Sequence, residues 1–117
     1  MKVIPVLDLN SQSVETVLDD ELFYIDIDWN EDGQYWQMGI RNSAYNSIVD
    51  GISLVPNYPL TWQFKYSDMP KGELQAIRLI NGNGPIPRDG FSSGVFQLIY
   101  MTYMDTLLAP LVVASAV

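Results

Sequence analysis

The stretch "LFYIDIDWNEDGQYWQMGIR", residues 22–41, decides the fold. Phe23, Ile25, Ile27 and Trp29 alternate with Tyr24, Asp26 and Asp28. A period of two puts the first set on one face of a strand and the second on the other. After a polar break, Trp36, Met38 and Ile40 alternate against Gln37 and Arg41. Two half-buried strands joined by a five-residue connection with a Gly read as a β-hairpin.

The same stretch contains "DIDWNEDG", residues 26–33, which opens like a calcium loop of the type D-x-[DN]-x-[DN]-G. Such a loop needs a bidentate Glu at its twelfth position. Counted from Asp28, that position is Gly39. The flanks also alternate with period two, whereas the loop needs helices. The helix-flanked calcium loop is therefore set aside. A looser surface cation site using Asp26, Asp28, Glu31 and Asp32 stays open, since the four acids are close in sequence. The favoured reading is a solvated turn in which Asn and Asp side chains cap backbone groups and Gly33 takes a positive φ. Asp19-Asp20-Glu21 reads the same way, with an acidic patch facing a basic partner as the sharper alternative.

Outward from the hairpin, strand candidates are Val3–Leu9, with Pro5 marking an edge or strand start, and Val14–Leu18. Downstream come Ile48–Val55, with Gly51 suggesting a bulge, then Leu60–Tyr66 and Glu73–Ile80. Gly94–Tyr103 is apolar or aromatic on both faces, so it is expected to be central. Asp68–Gly72 reads as a turn. "NGNGPIPRDG", residues 81–90, reads as the longest loop, a flexible contact segment. Its prolines preclude the helix that a phosphate loop requires, and no Lys follows. A short helix is expected from Asp105, limited by Pro110. About seven short strands without helical periodicity give an all-β class: one small antiparallel β-sandwich or barrel. The expected organisation is a β domain over 1–104 and an apolar C-terminal tail over 105–117.

Composition narrows the chemistry. The chain of 117 residues has no cysteine and no histidine. Disulfides, thiolate or imidazole metal sites, cysteine proteases and Ser-His-Asp hydrolases are excluded. Fourteen acids against six scattered basic residues give a net charge of −8. No basic stripe exists for phosphates, so nucleic acid and anionic membrane are not expected partners. The acids cluster in turns, where water keeps them ordinary, so a raised-pKa catalytic carboxylate is not expected. No enzyme activity, metal or cofactor is expected. Only 17% of residues are charged, below the roughly 25% of ordinary domains, which suggests surface covered by other chains. The N-terminus "MKVIPVLDLNSQ" lacks a signal-peptide core, and the apolar C-terminus is shorter than the ~20 residues of a membrane span. A soluble, cytoplasmically made protein is expected. Leu107, Leu108, Leu111, Val112 and Val113 are too apolar to be left in water without loss, and form a candidate partner interface. Whether they fold back on their own sheet or dock on a neighbour is open. Trp29 and Trp36 are expected in the core, with Trp62 less constrained. A carbohydrate platform is the competing use of the three rings.

In order along the chain, "LFYIDIDWNEDGQYWQMGIRNS", "DGISLVPNYPL", "MPKGELQAI" and "GVFQLIYMTY" resemble the baseplate plug family of contractile-tailed bacteriophages. The shared features are the strand ending in Trp29-Asn30, the Trp36 return strand, and the Gly51-Ile52 strand running into Leu60. The Pro70-Lys71-Gly72 turn and the strand closing near Tyr100 complete the set. They span about 70% of the chain. The resemblance implies a structural virion protein of the tail baseplate, present in several copies beside tube, hub, spike and wedge proteins. It also implies assembly in the host cytoplasm and help in closing the tube before firing. It transfers no catalytic residue. A small binding module for calcium or carbohydrate is the alternative.

Overall fold

The computed structural model describes residues 1–64 and 68–108. Seven strands form two antiparallel sheets. One is a meander of β2 (Ser11–Leu18), β3 (Glu21–Asn30), β4 (Tyr35–Arg41) and β5 (Ser47–Ser53), paired in that order. The other has β7 (Phe96–Met101) between β1 (Lys2–Ile4) and β6 (Glu73–Arg78). A helix over 103–108 follows β7. The all-β sandwich and the central place of the last strand are as the sequence predicts.

The β3–β4 hairpin has the expected register. Ile25 pairs with Ile40, Ile27 with Met38, and Trp29 with Trp36, while Asp28 faces Gln37 on the outside. The inner set joins residues of the other sheet, such as Leu74, Ala76, Phe96, Leu98 and Tyr100, in one core. An aromatic chain crosses this core. Trp29 packs edge-on to Trp36 at 5.3 Å, Trp36 to Phe91 at 5.7 Å, and Phe91 to Phe96 at 6.5 Å. Such edge-to-face pairs add about 0.5–1.5 kcal/mol each beyond their buried area. The predicted bulge is present: Met38 pairs with Ile52 and Ile40 with Val49, so Asp50 and Gly51 together oppose Gly39. Gly51 takes φ +72°, the left-handed backbone a bulge demands.

Three expectations are corrected. Strand β1 stops at Ile4 rather than Leu9, because Pro5 has no N–H to donate. Past it, the chain crosses to the other sheet, where Leu7 exchanges both backbone bonds with the Gln12 side chain and Asn10 O accepts the Trp29 N–H. The Leu60–Tyr66 candidate is not a strand where it is described; its last two residues lie outside the described residues. The buried Glu73 carboxylate accepts the N–H groups of Thr61 at 2.6 Å and Trp62 at 3.0 Å. Phe64 N–H then closes a turn onto Thr61 O. Just before it, Pro56 and Pro59 bridge to Ala76 and Gln75, so the loop covers the β6 edge. The third correction concerns the Gly-rich loop, whose second half is pinned rather than free. Ile86 is buried, and Pro87 O accepts the Trp36 indole N–H at 3.0 Å. Arg88 lies over the Trp36 ring, pairs with Asp8 at 2.8 Å and donates to Asn10. No helix among the described residues is long and apolar enough to cross a membrane.

Candidate assembly surfaces

Three of the four acids in and before the hairpin tip, Asp26, Asp28 and Glu31, bond the protein itself, while Asp32 is exposed. Asn30 Oδ1 accepts the Gly33 N–H at 2.8 Å, the side-chain capping the turn reading anticipates. The positive φ falls on Gln34 (φ 56°) and not on Gly33. Gly33 is instead required by space, because a Cβ there would strike the Tyr35 ring. The acids also find partners that sequence distance concealed. Arg41, diagonally across the β3–β4 pair, bonds Asp26 at 2.6 Å. That bond, the largest influence on the guanidinium, raises the Arg41 pKa above its ordinary value. Asp28 accepts the Ser11 hydroxyl, and Glu31 accepts the Trp29 indole N–H at 2.8 Å. Among the described residues no group of three or more carboxylates is placed to hold a metal ion. Trp36 is buried, so the three tryptophans make no shared platform; Trp62 is about half exposed.

The Asp19-Asp20 turn departs further from expectation. Both residues are left-handed, at φ 50° and 67°, the geometry of a two-residue hairpin turn. This aims Asp19 across to the end of β7. Its Oδ2 accepts the Tyr100 hydroxyl at 2.6 Å and the Tyr103 N–H at 2.9 Å. Tyr100 is buried and its hydroxyl also accepts the Gly72 N–H at 2.6 Å. One carboxylate therefore ties the β2–β3 turn to β7 and to the root of the tail. Burial foremost, and then the Asp19 bond, raise the Tyr100 pKa, so the hydroxyl stays protonated and donating.

The tail root carries a second anchor. Thr102 and Asp105 form a reciprocal capping box: Thr102 N–H donates to Asp105 Oδ2 at 3.0 Å, and Asp105 N–H to Thr102 Oγ1 at 3.2 Å. The Met1 α-amino group sits 2.7 Å from the same Oδ2. That bond first, and the Thr102 N–H second, hold the Asp105 carboxyl below its ordinary pKa. A depressed carboxyl contributes stability above the unfolded value, about 3.9, and loses it as pH falls through the lower folded value. The melting temperature of the native chain is expected to exceed that of Asp105→Ala at neutral pH. The gap should close on acidification below about pH 4. A pH-independent gap in the melting curves would show that the cap is not electrostatic.

Of the predicted interface, Leu107 and Leu108 lie on the 103–108 helix, each half exposed, beside exposed Tyr103 and Met104. Leu111, Val112 and Val113 lie outside the described residues, as does Pro110. Sequence reading missed a second apolar surface at the opposite end of the molecule. Tyr35, Leu54, Val55, Pro56 and Pro85 line a cleft of about 420 Å³. Val55 is about half exposed there and Leu54 forms the buried floor. These residues come from three separate segments, so only the fold brings them together.

Sandwich and surfaces together describe a small β module with exposed apolar groups at the tail root and around the cleft. The family model described as cyanophage baseplate Pam3 plug gp18 matches residues 1–103, and the chain belongs to this phage baseplate plug family. It is a structural component of a bacteriophage tail baseplate. The match includes the N-terminal residues that the four quoted segments leave out, and it stops at the first residue of the 103–108 helix. A comparison with curated proteins finds no match.

Proposed function

We propose that this chain is a non-enzymatic plug at the core of a contractile-tail baseplate. It would be seated in several copies against tube, hub, spike and wedge proteins and would help close the tube before firing. The observation that carries the reading is the family match over 1–103. The chemistry supports it: the carboxylates Asp26, Asp28 and Glu31 are bonded to their own fold, and four of the exposed apolar groups, Tyr103, Met104, Leu107 and Leu108, gather on the tail root. Assembly takes place in the host cytoplasm and the product is the virion tail. The tail over 105–117 is the docking element, with Leu107, Leu108, Leu111, Val112 and Val113 as its contact residues.

A phage in which this gene carries an early stop is expected to give no complete tails, and the full chain supplied in trans should restore them. A chain ending at Leu108 should fold with an almost unchanged melting temperature yet be at least tenfold depleted from purified baseplates. Normal contractile tails without the protein would overturn the plug reading. Normal incorporation of the shortened chain would overturn the role given to the tail.

A further inference from the structure

We infer that the free edge of β2 takes up an extended segment of a different baseplate chain, whose Lys or Arg side chain reaches the Asp26 and Asp28 carboxylates. The inference rests on the plug reading and gives one of its contacts a chemistry. The register fixes which backbone groups of β2 are free. Asn10 O accepts the Trp29 N–H, and bonded and non-bonded pairs alternate along an antiparallel ladder. The even-numbered residues of β2 therefore bond β3. Ser11, Ser13, Glu15 and Val17 turn their N–H and C=O groups away from it. Val17 O accepts from Lys2 Nζ at 3.0 Å, which closes that end. The outward groups of Ser11, Ser13 and Glu15 have no partner among the described residues, and all three residues are exposed.

The other sheet edges carry devices that keep strands from pairing. Strand β1 has three residues and stops before Pro5. Strand β5 is bent by its bulge, and β6 lies under Pro56 and Pro59. Strand β2 has none of these. It pairs with β3 over eight residues without a break, and "SQSVETVL" contains no Pro, Gly, Lys or Arg. An open, regular edge is a template for strand addition, in which main-chain bonds hold the guest and side-chain pockets select it.

Such a pocket adjoins the open stretch. It has about 350 Å³ and is lined by Ser11, Ser13, Asp26, Asp28, Arg41 and Tyr45. Arg41 holds one oxygen of Asp26, and the Ser11 hydroxyl holds one of Asp28. The second oxygen of each carboxylate has no partner among the described residues. Two carboxylates against one guanidinium leave the pocket negative, and Glu15 adds to that charge on the same face of the sheet. The acids stand on β3, two strand spacings or about 9.6 Å from an added strand. Ser11 and Ser13 are small and leave the way across open, so a long cationic side chain spans it. A second copy fits badly, because its own β2 brings Glu15, Asp26 and Asp28 against the same acids and each chain carries −8.

In the free full-length chain, NMR should show the Ser11, Ser13 and Glu15 amides exchanging at least tenfold faster than those of Gln12 and Val14. In purified baseplates, mass spectrometry should show the fast amides of β2 slowed at least tenfold. Ser13→Pro removes one outward N–H and no β2–β3 bond, so it should melt close to the native chain yet be at least tenfold depleted from baseplates. Glu15→Pro repeats the block two residues along. Asp28→Arg should be depleted likewise, whereas Asp28→Glu should enter at a near-native level. Where a proline variant melts well below the native chain, the exchange comparison on the unaltered chain decides. Folded Ser13→Pro entering at the native level, or β2 amides as fast in baseplates as in the free chain, would overturn the inference. So would outward amides already protected in the free monomer, where the chain's own residues cover the edge, or protected only in an oligomer of the free chain, where a second copy does. Normal entry of Asp28→Arg would overturn the cationic guest. None of these results touches the plug reading, which fails only if tails assemble without the protein.

Discussion

Trp36→Ala is expected to destabilise the domain by about 3–5 kcal/mol, the range for deleting a buried aromatic side chain. The ring is fully buried and sits where β3, β4 and the loop before β7 meet. It packs edge-on to Trp29 of β3 and to Phe91 of the loop before β7, and carries Arg88 over its face. Its indole N–H donates to Pro87 O. The truncation therefore leaves a cavity at the centre of the aromatic chain and removes the hydrogen bond that holds residues 86–88 down. Urea denaturation followed by far-UV circular dichroism would read the loss as a lower midpoint with an unchanged slope. Trp36→Phe keeps most of the volume but not the hydrogen bond, and should lose clearly less. Equal losses in the two variants would mean that packing contributes little and the Pro87 bond dominates.

Tyr100→Phe is the second large expected effect, about 2–3 kcal/mol, because a single oxygen atom is removed from a buried site where it bonds a carboxylate. The hydroxyl donates to Asp19 and accepts from Gly72. Its loss loosens the β2–β3 turn, the 68–72 turn and the end of β7 together. Asp19 also holds the Tyr103 N–H, so the root of the tail should loosen with them. Hydrogen exchange of the 103–108 amides should rise in Tyr100→Phe and in Asp19→Asn, and the double variant should add little to either single change. The hydroxyl also makes a pH signature. Its pKa is raised in the fold, while an unfolded tyrosine ionises near pH 10. The unfolded state thus binds fewer protons above that pH, and stability falls as pH rises. Tyr100→Phe should lack that alkaline component. Strictly additive stability changes in the cycle would mean that Asp19 and Tyr100 act separately.

The hairpin was readable because one physical rule governs it. A strict alternation over Phe23–Trp29 and Trp36–Ile40 has one low-energy burial, and the observed register follows it pair by pair. Gly51 was readable as a bulge for the same reason: a residue without a side chain in the middle of a strand needs a backbone explanation. The failures share a different cause. Glu73 looks like an ordinary charged residue, but as a buried acceptor of two N–H groups it turns Thr61 and Trp62 away from a strand. Asp19 looks like a solvated acid, yet its partners are more than eighty residues away. Arg41 is fifteen residues from Asp26 in sequence and beside it in space. Long-range polar pairing leaves no periodic trace, so the strands were legible and the bonds between their ends were not. The candidate interface was legible only as composition. Its apolar tail shows in the letters, while the cleft at the other end exists only once three segments have met.

The pairing of β1 with β7 fixes the order in which this chain can be finished. Lys2, Val3 and Ile4 find their strand partners in Tyr100, Ile99 and Leu98, nearly the whole length of the polypeptide away. Strands β2 to β5 pair with sequence neighbours and can form while the ribosome is still working, since short loops close quickly. The three-stranded sheet has no such shortcut. Its middle strand is the last to be translated, so β1 and β6 wait with unpaired edges until β7 arrives between them. A nascent chain arrested before Phe96 would hold a formed meander and half a core. Only a chain complete through β7 can close the second sheet and carry the helix root that Asp19 and the Met1 amino group hold, so the sandwich is finished in one late step.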